Sequence, residues 1–73
     1  MKEEFYFTLY CGSFVANTYI GSRSNAKAYF TRWVRKNFPY YQDYDFTVYR
    51  YGTLHDMLNS VNLVSSYELV IVE

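Results

Sequence analysis

The sequence has one cysteine, one proline and one histidine, and it lacks any long apolar run. A single thiol cannot close a disulfide within the chain, so Cys11 favours a reducing, cytoplasmic compartment and is interpreted as a small packing residue. No segment approaches the roughly 18 apolar residues of a membrane-spanning helix, and the opening MKEE is too acidic for a secretory signal. We therefore expect neither a disulfide-stapled domain nor a membrane or exported protein.

Residue patterns that support catalysis or bind metals are scarce as well. There is no glycine-rich phosphate loop, no CxxC or paired-histidine spacing and no nucleophile elbow. His55 stands beside Asp56 without a nucleophile or a second ligand, and Asp43 and Asp45 are spaced more typically for a solvated loop than for a Mg²⁺ site. The sequence predicts a protein that is not an enzyme and needs no metal or cofactor.

Aromatic residues are abundant: 10 Tyr, 6 Phe and 1 Trp among 73 residues. A chain of this length forms a single domain, residues 1–73, whose stability is marginal because a small domain buries a limited share of its surface. Each aromatic ring can bury roughly 150–250 Å². An aromatic core is therefore predicted to compensate for the small size.

Four segments have the composition and spacing of β-strands. Glu4–Cys11 alternates Phe5, Phe7 and Leu9 with polar or tyrosine positions, and the turn residues Gly12 and Ser13 join it to a second extended run as a hairpin. The C-terminal run is rich in β-branched residues and resembles a well-buried strand. The predicted strands are Glu4–Cys11, Phe14–Ile20, Asp45–Tyr51 and Tyr67–Val72.

Two segments are predicted to be helical. The main helix begins at Ser24 as N-cap and ends at Asn37, shortly before Pro39. At 100° per residue its apolar side chains, Ala26, Tyr29, Phe30, Trp33 and Val34, share one arc, while its cations, Lys27, Arg32, Arg35 and Lys36, occupy the opposite half. A short second helix follows Thr53, which caps it with help from Asp56, and its apolar side is formed by Leu54, Met57, Leu58 and Val61.

The order β-β-α-β-α-β predicts an α+β fold: a small two-layer domain with an antiparallel-rich four-stranded sheet, one main amphipathic helix and one short helix. In the simplest arrangement both helices cover one face of the sheet. The other face then carries an open surface of tyrosines, namely Tyr6, Tyr10, Tyr49 and Tyr51. Such a surface either stacks nucleic-acid bases or forms a protein interface.

Charge is segregated along the chain although the net charge is zero. Every acidic residue lies outside residues 5–42, whereas five of the seven cations lie within that stretch. A neutral chain of this kind can present a positive patch that attracts phosphate. The alternative left open is a solvated helix face whose carboxylate partners come from elsewhere in the fold.

Two stretches, AKAYFTRWV from Ala26 and DFTVYRYGTLHD from Asp45, resemble the small non-structural protein of microviruses, the single-stranded DNA phages. The matching positions are Ala26, Phe30, Thr31, Val34 and Pro39, followed by Asp45, Phe46, Thr47, Val48, Tyr49, Gly52, Thr53 and Asp56. The resemblance covers about residues 9–56. It implies a phage-encoded, replication-associated protein that binds DNA, and it transfers no residue-level binding site.

The leading expectation is a viral (bacteriophage) protein that binds single-stranded DNA in the host cytoplasm, with cations on phosphates and tyrosines stacked on bases. The candidate nucleic-acid-binding residues are Arg23, Lys27, Arg32, Arg35, Lys36, Arg50, Tyr40, Tyr41, Tyr49 and Tyr51. The alternative is a phage inhibitor of host defence that binds and blocks a host protein, because Tyr and Arg are equally typical of protein hot spots. Self-association as a homo-dimer is also left open.

Overall fold

Strands and helices follow one another in the predicted order in the computed structural model, which describes residues 5–71. The predicted positions Glu4 and Val72 lie outside the described residues. The predicted α+β class with four strands, one main helix and one short helix is confirmed. The elements are β1 (Phe5–Cys11), β2 (Phe14–Gly21), α1 (Arg23–Asn37), a 3₁₀ turn (Tyr41–Asp43), β3 (Phe46–Tyr51), α2 (Leu54–Asn59) and β4 (Ser65–Glu68).

The four strands form one antiparallel sheet in the order β2-β1-β3-β4. The predicted hairpin joins β1 to β2 through Gly12, whose φ of +61° lies in the left-handed region that glycine adopts readily. The register shifts between Leu9 and Tyr10, which marks a bulge near the hairpin turn. The long-range pairing of β1 with β3 then places these two strands at the centre of the sheet.

Helix α1 begins two residues earlier than the sequence predicts. The N-cap is Ser22, whose hydroxyl accepts a hydrogen bond from the Asn25 backbone N–H at 3.3 Å. The expectation that Ser24 caps the helix is therefore wrong, because Ser24 already lies in the first turn. The helix ends at Asn37 as predicted, and the Phe38 N–H closes the last turn on the Val34 carbonyl at 2.8 Å.

One face of the sheet packs against α1 and forms the main core. This surface of the sheet, which includes Phe7 and Val48, is called the α1 face below. The cluster is formed by Phe7, Leu9, Ala26, Phe30, Val34, Phe46, Val48 and Leu69. Phe30 and Val34 are fully buried, whereas Trp33 on the same apolar arc is only half-buried. Trp33 packs against the edge of this core and against Phe38, with ring centroids 5.5 Å apart.

The short helix α2 covers part of the opposite face rather than the α1 face. Side chains alternate along a strand, so Thr8 and Tyr51 point away from Phe7 and Val48, yet both are buried, with 4% and 3% of their surface exposed. Met57 of α2 is buried outside the α1 cluster, and α2 contacts β1 and β3. The expectation that both helices share one face, with Tyr51 on an open surface, is therefore wrong.

Helix α2 itself begins as predicted and ends earlier. The Thr53 hydroxyl accepts from the Asp56 backbone N–H at 3.1 Å, which confirms the predicted cap. The helix ends at Asn59 because Ser60 adopts the left-handed conformation, with φ of 55°. Val61 thus belongs to the loop that leads to β4.

The C-terminal strand is shorter and more exposed than the sequence predicts. β4 spans Ser65–Glu68 at the edge of the sheet and pairs with β3. The last hydrogen bond between the two segments joins the Leu69 N–H to the carbonyl of Phe46, the first residue of β3, at 2.9 Å. Within the described residues no strand lies beside the chain after Leu69. Leu69 is buried, but Val70 is 64% exposed. The β-branched run is thus not a buried strand.

Candidate functional site

The outer surface of α1 carries the cations that the helical period places there. Lys27, Arg32, Arg35 and Lys36 are all exposed, while Ala26, Phe30 and Val34 on the inner side are buried. Arg23, the first residue of the helix, is exposed as well. The predicted amphipathic arrangement of α1 is confirmed.

These cations are not neutralised by carboxylates in the described part of the chain. Within residues 5–71 none of the α1 cations forms an ion pair. Glu68 follows Tyr67 directly but pairs with Thr47 and therefore lies on the face opposite α1. The alternative in which acidic residues from elsewhere cover the helix does not hold for the described residues. Within residues 5–71, α1 thus presents a positive surface, although the full chain has zero net charge.

A cleft opens between the first turns of α1 and the edge strand β4. It has a volume of about 460 Å³ and is lined by Arg23, Ser24 and Lys27 of the helix and by Tyr67 of the strand. Arg23 and Lys27 are four residues apart and so share one flank of α1. Tyr67 reaches the same space because its pairing with Val48 places it on the α1 face. The cleft combines two cations with one aromatic wall.

The two sides of the cleft already interact. The Arg23 guanidinium carbon lies 6.0 Å from the centroid of the Tyr67 ring, within the range of a cation–π contact. The Tyr67 hydroxyl is buried and has no hydrogen-bond partner among residues 5–71. Burial raises the pKa of this hydroxyl, and the nearby Arg23 charge opposes the rise. Tyr67 is therefore a neutral ring with an unused polar atom at neutral pH.

Arg50 is a further cation, which lies on the α1 face of the sheet because it pairs with Phe7. It pairs with Ser65, two residues before Tyr67, and its guanidinium carbon lies 4.3 Å from the centroid of the Phe5 ring. Its Nε atom is buried without a partner in the described part of the chain. Arg50 thus lies on an aromatic surface near the cleft, although it does not line the cleft itself.

The predicted tyrosines are dispersed over the molecule. Tyr40 is 73% exposed in the loop after α1, and Tyr41 packs partly against the core. Tyr49 lies on the face opposite α1, with its ring 4.7 Å from that of Tyr10. Tyr51 is buried, and desolvation together with the neighbouring Tyr10 and Tyr49 raises its hydroxyl pKa. Tyr51 is not available for stacking on a ligand.

Sequence reasoning misses Tyr67 and Ser24 as members of the cleft. It places Tyr67 in a buried strand and favours Ser24 as a cap. The spacing of Arg23 and Lys27 marks one flank of the helix, but no local signal states which strand faces that flank. Only the register of β3 with β4 brings Tyr67 to it.

The remaining candidate groups have ordinary surroundings. Cys11 is a free, half-buried thiol that packs against the core, as predicted. His55 is exposed, and its Nδ1 lies 3.4 Å from the side-chain nitrogen of Asn59. Over residues 5–71 no three His, Cys, Asp or Glu side chains are grouped to hold a metal ion. In the same range no helix has the length and apolar character needed to cross a membrane.

Comparisons with known proteins return no family model, no curated protein and no solved structure that matches this chain.

Proposed function

We propose that this chain is a non-catalytic protein that binds single-stranded DNA along α1. The observation that carries the proposal is the set of exposed cations on α1, which form no ion pair within residues 5–71. Two of them, Arg23 and Lys27, also line a cleft with a tyrosine wall. Cations on such a surface replace the counterions of the phosphate backbone, and aromatic rings stack on bases. The phosphate-binding residues are Arg23, Lys27, Arg32, Arg35 and Lys36.

A single strand suits this surface better than a duplex does. The bases of a single strand are free to turn toward a ring such as Tyr67, whereas those of a duplex are stacked and paired. The resemblance of residues 9–56 to the microvirus non-structural protein also supports a phage-encoded, DNA-binding role in the host cytoplasm. In this proposal Tyr40 lies beyond the end of α1 as a further exposed ring.

The test is a titration of the protein with oligothymidylate at several salt concentrations. Replacing Arg32 and Arg35 together with Glu should abolish most of the binding, and the log–log salt slope should fall by about 0.7 for each phosphate that is no longer neutralised. The matched control replaces both residues with Lys, which keeps the charge and should keep the affinity and the slope. Absence of binding by the wild type at low salt, or binding unchanged by the double Glu variant, contradicts the proposal.

The second candidate is an inhibitor that binds a host protein through α2 and the loop after it. Five aliphatic side chains are exposed in this segment: Leu54, Leu58, Val61, Leu63 and Val64. Leu58 alone is 71% exposed, and exposed aliphatic side chains concentrated in one segment favour a protein interface. Indifference to DNA, together with capture of a host protein that is abolished in Leu58→Lys, would favour this candidate. Size-exclusion chromatography separates it from self-association as a homo-dimer.

A further inference from the structure

We infer that the cleft between α1 and β4 holds one base of the bound strand, inserted between the Arg23 guanidinium and the Tyr67 ring, with Lys27 on the adjoining phosphate. This inference rests on the proposed function and specifies where a base, rather than the backbone, is bound. The ligand is a nucleotide of single-stranded DNA, recognised by its flat π-surface and its charge.

The separation of Arg23 and Tyr67 is close to the separation that two groups need to hold one flat ring between them. The guanidinium carbon of Arg23 is 6.0 Å from the Tyr67 centroid, whereas a base stacked on both sides needs about 7 Å, twice the ~3.4 Å spacing of stacked bases. Arg23 is exposed, so its side chain can move outward by the missing distance. Tyr67 is held in place by the pairing of β4 with β3.

A second arginine–aromatic pair in the protein, Arg50 with Phe5, is in direct contact and serves as a comparison for the wider pair at the cleft. Arg50 lies 4.3 Å from the centroid of Phe5, which is direct contact and leaves no room for a base. The Arg23 and Tyr67 pair is wider, at 6.0 Å, and borders a cleft of about 460 Å³, a size typical of small-ligand sites. The two pairs therefore differ: Arg50 lies directly on the half-buried ring of Phe5, whereas Arg23 is separated from the ring of Tyr67 at the open cleft.

The polar groups of the cleft suit a nucleotide as well. Lys27 lies one helical turn after Arg23, which places an ammonium beside the slot for the phosphate. Because the Tyr67 hydroxyl is buried, the part of this side chain that borders the cleft is its ring, which suits the stacking of a base. Lys27 therefore belongs to both the positive surface of α1 and the slot, whereas the Tyr67 ring belongs to the slot alone.

The test compares Arg23→Lys with Arg32→Lys in titrations with oligothymidylate. Both variants keep the charge, but only the first removes a flat guanidinium from the slot, since Arg32 lies two and a half turns later on the opposite side of the helix. Arg23→Lys should weaken binding by roughly 5-fold or more with an unchanged salt slope. Arg32→Lys should cost clearly less affinity than Arg23→Lys, because a lysine still neutralises the phosphate at position 32.

An abasic oligonucleotide of the same length supplies the second measurement. Tyr67→Leu should weaken oligothymidylate binding by roughly 5- to 150-fold, the range of base–aromatic stacking, while Tyr67→Phe keeps the ring and most of the affinity. Neither Arg23→Lys nor Tyr67→Leu should alter binding of the abasic strand, which has no base to insert. Circular dichroism establishes whether each variant is folded. If Tyr67→Leu does not fold, the comparison of Arg23→Lys on the two strands still tests the slot, because Arg23 is exposed and its replacement should not affect folding.

The outcomes separate this inference from the proposed function. Wild-type binding to oligothymidylate with equal affinities for Arg23→Lys and Arg32→Lys overturns the base slot and leaves DNA binding in place. An equal loss of affinity on the abasic strand also overturns it, because the residues then act on the backbone. No wild-type binding to either strand overturns the proposed function and the slot together.

Discussion

Thr8 is a buried polar residue at the centre of the sheet. It stands between Phe7 and Leu9 on β1, and all three are buried because the sheet is covered on both faces at this point. The Thr8 hydroxyl oxygen has no hydrogen-bond partner within residues 5–71. A buried hydroxyl without a partner lowers the stability of the protein, because it has lost its hydrogen bonds to water and forms none within the fold.

Replacing Thr8 with Val should therefore stabilise the protein by about 1 kcal/mol, because the shape is kept and the unpaired hydroxyl is removed. The matched control is Thr18→Val on the neighbouring strand, where the residue pairs with Thr8 but is exposed and should show a change near zero. Urea denaturation measures both free energies of unfolding. A loss of stability in Thr8→Val would mean that the hydroxyl has a bonding role.

At the scale of the element, α1 has an unusual first turn. It contains no acidic residue and carries Arg23, although the helix dipole favours negative charge at an N-terminus by about 0.3–1 kcal/mol. Asp or Glu would be the favourable choice for stability alone. A cation at this place is consistent with an anionic ligand at the cleft, since functional sites are where local stability rules are broken.

The two serines at the start of α1 give a test of the cap. Ser22→Ala should destabilise the protein by about 1 kcal/mol because the Asn25 N–H loses its acceptor. Ser24→Ala makes the same chemical change within the first turn and should have little effect on stability. Thermal unfolding of both variants decides between the two positions. A larger destabilisation by Ser24→Ala would show that Ser24, the residue that the sequence favours, is the N-cap.

At the scale of the whole molecule, stability depends on a small aromatic and aliphatic core. At about 0.05–0.15 kcal/mol per residue, a domain of 73 residues has a free energy of unfolding of roughly 4–11 kcal/mol. Phe7 and Phe30 are among the largest fully buried side chains. Removal of one of these rings therefore affects a large share of the total.

Phe30→Ala should cost about 3–5 kcal/mol and leave a large unfolded population. Trp33→Ala should cost clearly less, although its ring is larger, because Trp33 is only half-buried and packs against Phe38 at the end of the helix. Circular dichroism during urea denaturation compares the two variants with the wild type. A Trp33→Ala variant less stable than Phe30→Ala would place the tryptophan in the core.

The sequence by itself determined the elements that depend on near neighbours. The alternation of β1, the turn at Gly12, the 3.6-residue period of α1 and the Thr53 cap are signals within a few residues, so the fold class and the exposed cations of α1 followed from them. In the candidate site, the helical period predicts the exposed position of Lys27, whereas Arg23 is a candidate only because it lies in the stretch free of acidic residues. These local patterns are set by backbone geometry and do not require knowledge of the rest of the fold.

Only the tertiary structure decided which residues face one another. Tyr51 is buried because α2 packs on the face of the sheet to which its side chain points. Tyr67 lines the cleft because its pairing with Val48 determines the side of the sheet on which it lies. The C-terminal run is a strand only as far as Glu68, because β3 has no further residue to pair with it after the bond from the Leu69 N–H to the Phe46 carbonyl. A register or helix position shifts side chains between faces without changing the local sequence, so these outcomes depend on long-range packing alone.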